Sequence, residues 1–398
     1  MNIQQDIQYL HNKKDKSVAS IGGLQNLSYE EIMCMNTVFD IKKMGAMGDG
    51  NTDDTAVIQS ALDQAAECTG KVIVPPGRYL TKKLSMHGQG VSMEGSSAWS
   101  YRSDGSSIIV LADDSADCLI DITGAFGCAI KGICMDGNGL GDANKKPIHG
   151  VKLYWDKYNG GSEEDTPMID DCRIGNFSGD GVHLEHIWCF SVRHSMLHNN
   201  GRNGLFIDGW DGFVLDNWFS YNKEWGLKGG NVVASITATG NRVEWNYAGG
   251  FGIEFGDSYN FTGNFFDRSH GPSIELGGKK GVSLVSITGN IFRRSGAYLD
   301  VMPEDEKRCH MNLKNCSDLT CMGNTMRVGK NDGGGGVLSP DFGMMISGCN
   351  GCIVKDNTMI KGALKGLVIT SDNTDCIIEE NIGSLADENW STGSVLLN

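Results

Sequence analysis

The sequence predicts an all-β protein, a right-handed single-stranded parallel β-helix of three sheets with an N-terminal capping helix. Three observations predict it. A unit of roughly 22 to 24 residues recurs through Val182–Gly296, and internal periods of that size mark solenoids. One slot of the unit holds asparagine, at Asn217, Asn241, Asn264, Asn290, Asn324, Asn357 and Asn381. Apolar residues recur around that slot: three before it (Val214, Ala238, Phe261, Ile287), two after it (Phe219, Val243, Phe266, Phe292), and beyond the next glycine turn (Leu205/Ile207, Phe251/Ile253, Ile274/Leu276). Each unit therefore contains three short strands with alternating inward and outward residues. The aligned asparagines fit a side-chain ladder at a bend, each amide bonding its neighbours above and below. A leucine-rich horseshoe would need LxxLxLxxN and a helix per repeat, and the chain has neither.

Taken in order, residues 1–36 read as a polar leader or oligomerisation arm with a short helix at Ser28–Met35, and residues 37–398 as the β-helix domain. Within GDGNTDD, a turn leads into a helix start, and Asp53 and Asp54 are expected to cap it rather than to catalyse. Ala56, Ile58, Ala61, Leu62 and Ala65 then recur at helical spacing, making this helix the lid that covers the first coil's open edge. Lys71–Val74 and Arg78–Leu80, joined by Pro75-Pro76-Gly77, begin the coils. Excursions at Asp136–Pro147, Lys157–Pro167, Ser295–His310 and Val328–Phe342 flank the strand after the glycine turn, as loops walling a groove would.

The 398 residues suit one long solenoid, which grows by adding coils, and the 55 glycines mark its tight turns. A net charge of -15 argues against nucleic acid and anionic membrane as partners. No stretch approaches a membrane span, and the start lacks the apolar segment of a secretion signal. A cytoplasmic location is expected, or a virion if the chain is of phage origin; secretion requires that a signal has been removed. The 13 cysteines read as reduced core thiols, with Cys321, Cys352 and Cys376 in apolar slots, and the CNGC at Cys349 and Cys352 reads as packing rather than zinc.

Chemistry concentrates on the outward positions of the strand after the glycine turn. One column reads Lys152, His183, Phe206, Lys228, Gly252, Glu275, Asn312. The next reads Tyr154, Glu185, Asp208, Gly230, Glu254, Gly277, Lys314, with Trp155, Trp188, Trp210 and Phe255 at the turn beyond. Carboxylates beside aromatic planes suit sugars, with Gly230 and Gly252 leaving space, so His183, Glu185, Tyr154, Trp155, Trp188 and Trp210 are expected to bind substrate. With coils about 4.8 Å apart, Glu185 and Asp208 fall near 5 Å, the retaining-glycosidase range. Asp208 and Glu254 fall at roughly 9.6 Å, and Glu254 and Glu275, as diagonal neighbours, at about 7–8 Å, both compatible with inversion. Asp208, Glu254, Glu275 and Lys228 are the expected catalytic set. Lys228 keeps one or both of Asp208 and Glu254 ionised, and Glu275 stays protonated as the acid. A second outward set, His198, Ser220, Glu244, Asp267 and Arg293, has no row of aromatics beside it and reads as an exposed salt-bridging face.

The segment Phe39–Leu80 resembles the opening signature of the pectate-lyase-like β-helix superfamily, which includes polygalacturonases, inulin fructotransferases, alginate epimerases and phage tailspike depolymerases. The resemblance implies a carbohydrate-active fold and a carbohydrate substrate, without fixing a reaction. The polygalacturonase pattern is met only at His270-Gly271, so pectin hydrolysis is not expected. Ile274-Glu275-Leu276 resembles the acidic strand of the fructotransferases, although their second acid would fall at Gly263. The leading expectation is a glycoside hydrolase or glycosyl-transferring enzyme that needs no cofactor. The alternatives are a lyase or epimerase, with Lys228 or His183 as base and calcium held by Glu185, Asp208 and Glu254, and a tailspike-like depolymerase. A homotrimer fits a solenoid whose site is completed by a neighbour's flank.

Overall fold

The computed structural model describes residues 37–96, 101–155, 166–297, 307–327, 329–335, 338–359, 365–383 and 395–397. The expected leader at 1–36 lies outside these residues, as do most of the excursions at 157–167 and 295–310. The stack opens where strand Val38–Asp40 pairs in parallel with Lys71–Val74. Helix Thr55–Glu67 buries Ile58, Ala61, Leu62 and Ala65, while Ala56 faces solvent. Gln59 ties this helix to the coil by exchanging amide hydrogen bonds with the backbone of Ser85 at 2.9 Å each. The acidic start works differently from the expected cap. Asp54 turns back to accept the N–H groups of Met47 and Gly48 at 2.7 and 3.0 Å, and Asp53 takes the first helical amide, that of Thr55, at 3.0 Å.

From there the chain coils in parallel, and the predicted apolar slots are the core: Val214, Ala238, Phe261, Ile287, Phe219, Val243, Phe266 and Phe292 are all fully buried. Three faces are present, but two of them share one hydrogen-bonded ladder, leaving a 19-stranded and a 13-stranded sheet. The shared ladder arises because the central strands, such as Val182–Arg193 and Ile274–Thr288, run through the corner between faces. At its margins the two faces separate again. His149–Tyr154 pairs with the first half of Val182–Arg193 and Met168–Asp170 with the second. The corner itself is a bulge rather than a loop, with a register shift at each crossing and positive φ at His186, Asp211 and Ser258. Gly256 shows why such a corner needs glycine: its φ is +114°, and a Cβ there would lie 1.7 Å from the carbonyl oxygen of Val233. Gly256→Ala should therefore cost at least ~1–3 kcal/mol by chemical denaturation, from backbone strain before any clash is counted. An unchanged midpoint would mean that the corner relaxes freely.

The asparagine ladder is present through all seven positions. Asn217, Asn241, Asn264, Asn290, Asn324 and Asn357 each donate backbone N–H and side-chain Nδ2–H to the Oδ1 of the next, at 2.8–3.1 Å. A second, shorter ladder, Asn200–Asn222–Asn246, spaced at 2.9 Å, holds the following corner and went unread in the sequence. The twelve described cysteines are free, and both Cys349 and Cys352 are buried, each thiol donating to backbone carbonyls. The described chain closes with Val395–Leu397, which pairs antiparallel to Cys376–Glu379.

Candidate active site

The outward column predicted from the repeat exists residue for residue. Backbone register pairs Lys152 with His183, His183 with Phe206, Phe206 with Lys228, Lys228 with Gly252, Gly252 with Glu275 and Glu275 with Asn312. Beside it, Tyr154 pairs with Glu185 and Glu185 with Asp208. Alternation explains the placement: Ile253 and Leu276 point into the core with no exposure, so Glu254 and Glu275, their sequence neighbours, lie on the outer wall. The excursion at 136–147 adds relief at the turn leading into this wall. Together with Asn176, Ser178, Asn199 and Lys223 it lines an open pocket of about 350 Å³. The Val328–Phe342 excursion instead leans on the other sheet, where Asp332 pairs with Arg268 and Arg294.

Chemically the wall divides in two. In its later coils, Lys228 Nζ lies 2.7 Å from Glu254 Oε1, and this hydrogen bond and charge hold the Glu254 carboxyl below its ordinary range. Glu275 sits next to them under opposite conditions: burial pushes its pKa up against the pull of Lys307, Lys228 and Lys314. Its Oε2 is buried without a hydrogen-bond partner among the described residues, and so is the Oδ1 of its ladder neighbour Asn312. One carboxyl held below its ordinary range beside one pushed above it is the pattern of an acid/base division of labour. The indole of Trp225 forms the floor, with Lys228 Nζ 5.6 Å from the ring centre.

The earlier coils hold a tighter cluster. Asp180 accepts the backbone and side-chain N–H of Asn203 through Oδ1, both at 2.8 Å, and presents Oδ2 to His183 Nδ1 at 2.7 Å and to His149 Nδ1 at 3.2 Å. His183 Nε2 reaches Glu185 Oε1 at 3.1 Å, and its ring stacks on Phe206 with centroids 4.7 Å apart. Burial disfavours a charged His183, yet its bonds to Asp180 and Glu185 outweigh that and raise its pKa. Burial lowers that of His149.

Several expectations need correction. Asp208 is 9 % exposed and does not face solvent beside Lys228. Its carboxylate curls over to accept the N–H groups of Asn231 and Val232 at 3.2 and 3.1 Å, so it fixes a bend in the next coil. Gly230 and Gly252 do not leave room for a sugar: a Cβ on them would meet the Asp208 carboxylate at 2.8 Å and the Trp225 indole at 2.7 Å. Glu185, Asp208 and Glu254 each face a different partner and do not converge as a calcium set. Of the aromatics, Tyr154 is exposed, Trp188 donates to Asp211 at 2.7 Å and pairs in register with Trp210, and Trp155 packs edge-on against Phe126 and the core. They form a row at the strand ends, broken where Trp155 turns inward.

The second outward set is neither exposed nor bare of aromatics. Glu244 and Asp267 are 1 % exposed, beneath Tyr101, Trp218, Tyr221 and Trp245, with the Tyr221 and Trp245 rings stacked at 5.1 Å. Burial raises the Glu244 pKa, but Trp218 Nε1 and Arg242 hold its two oxygens at 2.9 and 3.1 Å. Arg268 and Arg294 clamp Asp267. Ion-paired in this way, the two carboxyls brace the face, although Glu244 Oε2 receives no hydrogen bond among the described residues. His149, Asp180 and Trp225 were missed because the sequence was scanned at outward strand slots. They occupy the slot two residues before the inward Val151, Val182 and Leu227, where His149 and Trp225 open their strands and Asp180 lies just ahead of one, and aligning that slot across coils finds them.

The fold and this charged, aromatic-flanked wall define a carbohydrate-active right-handed β-helix protein. The chain belongs to the rhamnogalacturonase A/epimerase, pectate lyase-like family, whose profile matches residues 38–290, and a right-handed β-helix region profile matches residues 226–398. It is 30% identical to mannuronan C5-epimerase AlgE2 of Azotobacter vinelandii over 247 residues, which are 55% of this chain and only 23% of that protein. Among solved structures, it resembles the A-module of the mannuronan C-5 epimerase AlgE6 of the same organism (TM-score 0.56, 17% identity, 87% of this chain and 99% of that one). It also resembles the DFA-IIIase of Arthrobacter chlorophenolicus A6 in complex with DFA-III (TM-score 0.57, 14% identity, 92% and 91%). At these identities the structural likeness is one of fold. Among the described residues no helix is long and apolar enough to cross a membrane.

Proposed function

We propose that the chain is an enzyme that cleaves or transfers glycosidic bonds of a poly- or oligosaccharide, with Glu275 as the proton donor and Glu254 as its ionised partner. The observation that carries this reading is the state of Glu275: a half-buried side chain on the outer wall, with one buried, unpartnered oxygen and a raised pKa. Such a group keeps its proton to higher pH than an exposed carboxyl does, and its unpartnered oxygen is free to meet a sugar oxygen. Lys228 pairs with Glu254, and as diagonal neighbours across the Gly252–Glu275 pairing the two acids would stand about 7–8 Å apart, within the inverting range. Asp208 has no part in this chemistry.

A second reading rests on the likeness to AlgE2: proton abstraction from a uronate, leading to epimerisation or elimination. There Lys228 or His183 would take the C5 proton while Glu275, with its raised pKa, binds the sugar carboxylate. Digestion of a glycan panel that includes mannuronan, polygalacturonate and inulin, read by mass spectrometry, separates the two. New reducing ends or cyclic products without ultraviolet absorbance fit the first reading. Absorbance from a new C=C bond, or solvent deuterium incorporated at C5, fits the second. Adsorption without turnover would sink both and leave a glycan-binding spike. On whichever substrate turns over, Glu254→Gln should lower kcat by about 10²–10⁴-fold. Wild-type activity in that variant would remove Glu254 from the mechanism.

A further inference from the structure

The cluster in the earlier coils has a donor set that the proposed acid/base pair does not use. His149 Nδ1, Asp180 Oδ2 and His183 Nδ1 lie within 4.8 Å of one another, and all three residues are buried. They come from two adjacent coils: Val151 pairs with Val182, which sets His149 beside the Asp180 turn, and His183 follows one residue after Val182. We propose that His149, Asp180 and His183 form a binding site for a divalent transition-metal ion of the zinc type, with Glu185 orienting His183 from behind. The site was not expected from the sequence.

Three features of the geometry support it. The first is the donor chemistry. Two imidazole nitrogens and one carboxylate oxygen suit zinc, cobalt or nickel, whereas calcium and magnesium take oxygen ligands. Three protein donors also leave a fourth position for water or a ligand oxygen. The second is spacing. Ligands about 2.0–2.1 Å from a tetrahedral ion stand roughly 3.3–3.4 Å from one another. The His149–Asp180 separation is already 3.2 Å, and the His183–Asp180 separation, at 2.7 Å, needs to open by about half an ångström.

The third feature is orientation. Asp180 commits Oδ1 to the Asn203 backbone and amide, so the fold aims Oδ2 at both imidazoles. His183 bonds Glu185 through the nitrogen that faces away from Asp180, the arrangement in which a carboxylate behind a ligating histidine fixes its ring and tautomer. His149 Nδ1 accepts the N–H of Asp180 at 3.0 Å, which places a lone pair on the nitrogen that faces the cluster. Metal binding would exchange that hydrogen bond for a coordinate one.

The test uses the full chain, stripped with chelator, dialysed and titrated with zinc chloride by calorimetry, with cobalt(II) as the spectroscopic probe. One equivalent per chain is expected, together with cobalt d–d absorption of a four- or five-coordinate site that zinc displaces. His149→Ala should weaken binding at least 100-fold. Glu185→Gln, which leaves all three ligands in place, should weaken it by about 10–100-fold. His194→Ala, an exposed histidine outside the cluster, should change nothing. Folding of each variant is checked by circular dichroism without metal. The proposal is overturned if the folded wild-type chain takes up no stoichiometric zinc at micromolar concentration, or if Glu185→Gln and His149→Ala bind as the wild type does. Binding is read without turnover, so loss of the Glu254/Glu275 mechanism would leave this result standing, and the reverse holds too.

Discussion

Glu275→Gln should lose about 10²–10⁴-fold in kcat while becoming more stable than the wild type at neutral pH. Both halves follow from one burial. Glutamine copies the shape of a protonated glutamic acid, so the wall, Asn312 and the Trp225 floor keep their places, but glutamine has no proton to give. The stability sign follows from the raised pKa. Native Glu275 holds its proton more tightly than the unfolded chain does, so stability falls as pH rises from the unfolded carboxyl's value through the raised native one. Above that window the native state bears an ionised, poorly solvated carboxylate, and glutamine removes the penalty. The stability gap between variant and wild type should therefore be near zero at pH 4 and widest in mildly alkaline buffer. Wild-type kcat should decline over the same window, because a proton donor is lost as it ionises. Scanning calorimetry at both pH values and a pH–rate profile check the pair. A variant that is less stable at high pH than at low, or that turns over normally, would remove Glu275 as the acid.

The sequence carried the fold because its signals repeat. One asparagine ladder and three apolar slots recur through successive coils, and a period-2 strand admits only one assignment of inward and outward residues, so the whole column from Lys152 to Asn312 was legible. What it did not carry is where an outward side chain goes next. Asp208 and Glu254 occupy equivalent outward slots, yet one curls onto the amides of residues 231 and 232 and the other reaches Lys228. That difference depends on the local path of the corner after each strand, where the register shifts by a different amount in each coil. Glu244 and Asp267 were misjudged for a related reason: Tyr101 covers them from far along the chain, and no periodicity foretells a non-local lid. His149 opens its strand and Asp180 lies just ahead of the next, at the strand edge where the period-2 pattern carries no signal.

The largest structural effect is expected at the ladder, from Asn264→Ala. Asn264 Oδ1 accepts two donors from Asn241, at 3.0 and 2.9 Å, and its Nδ2 donates to Ala238 O and Asn290 Oδ1, at 2.9 and 3.0 Å. Alanine orphans a buried backbone N–H, a buried amide hydrogen and a carbonyl, at a cost of about 1–3 kcal/mol each. The sum, about 3–9 kcal/mol, exceeds what one coil's apolar contacts would lose, because alanine leaves the cavity lined with polar groups rather than aliphatics. Aspartate would be worse than its shape suggests, since it keeps the acceptor for Asn241 but turns a second acceptor toward Ala238 O and Asn290 Oδ1. Equilibrium denaturation should show the loss as a lower midpoint. It should also show a broken transition, because coils interact only with their neighbours and a weakened middle uncouples the two ends. A single sharp transition displaced by less than 1 kcal/mol would mean that the amides line the bend without holding it, and that buried apolar packing, such as the stacked rings of Phe266 and Phe292, keeps the coils in register.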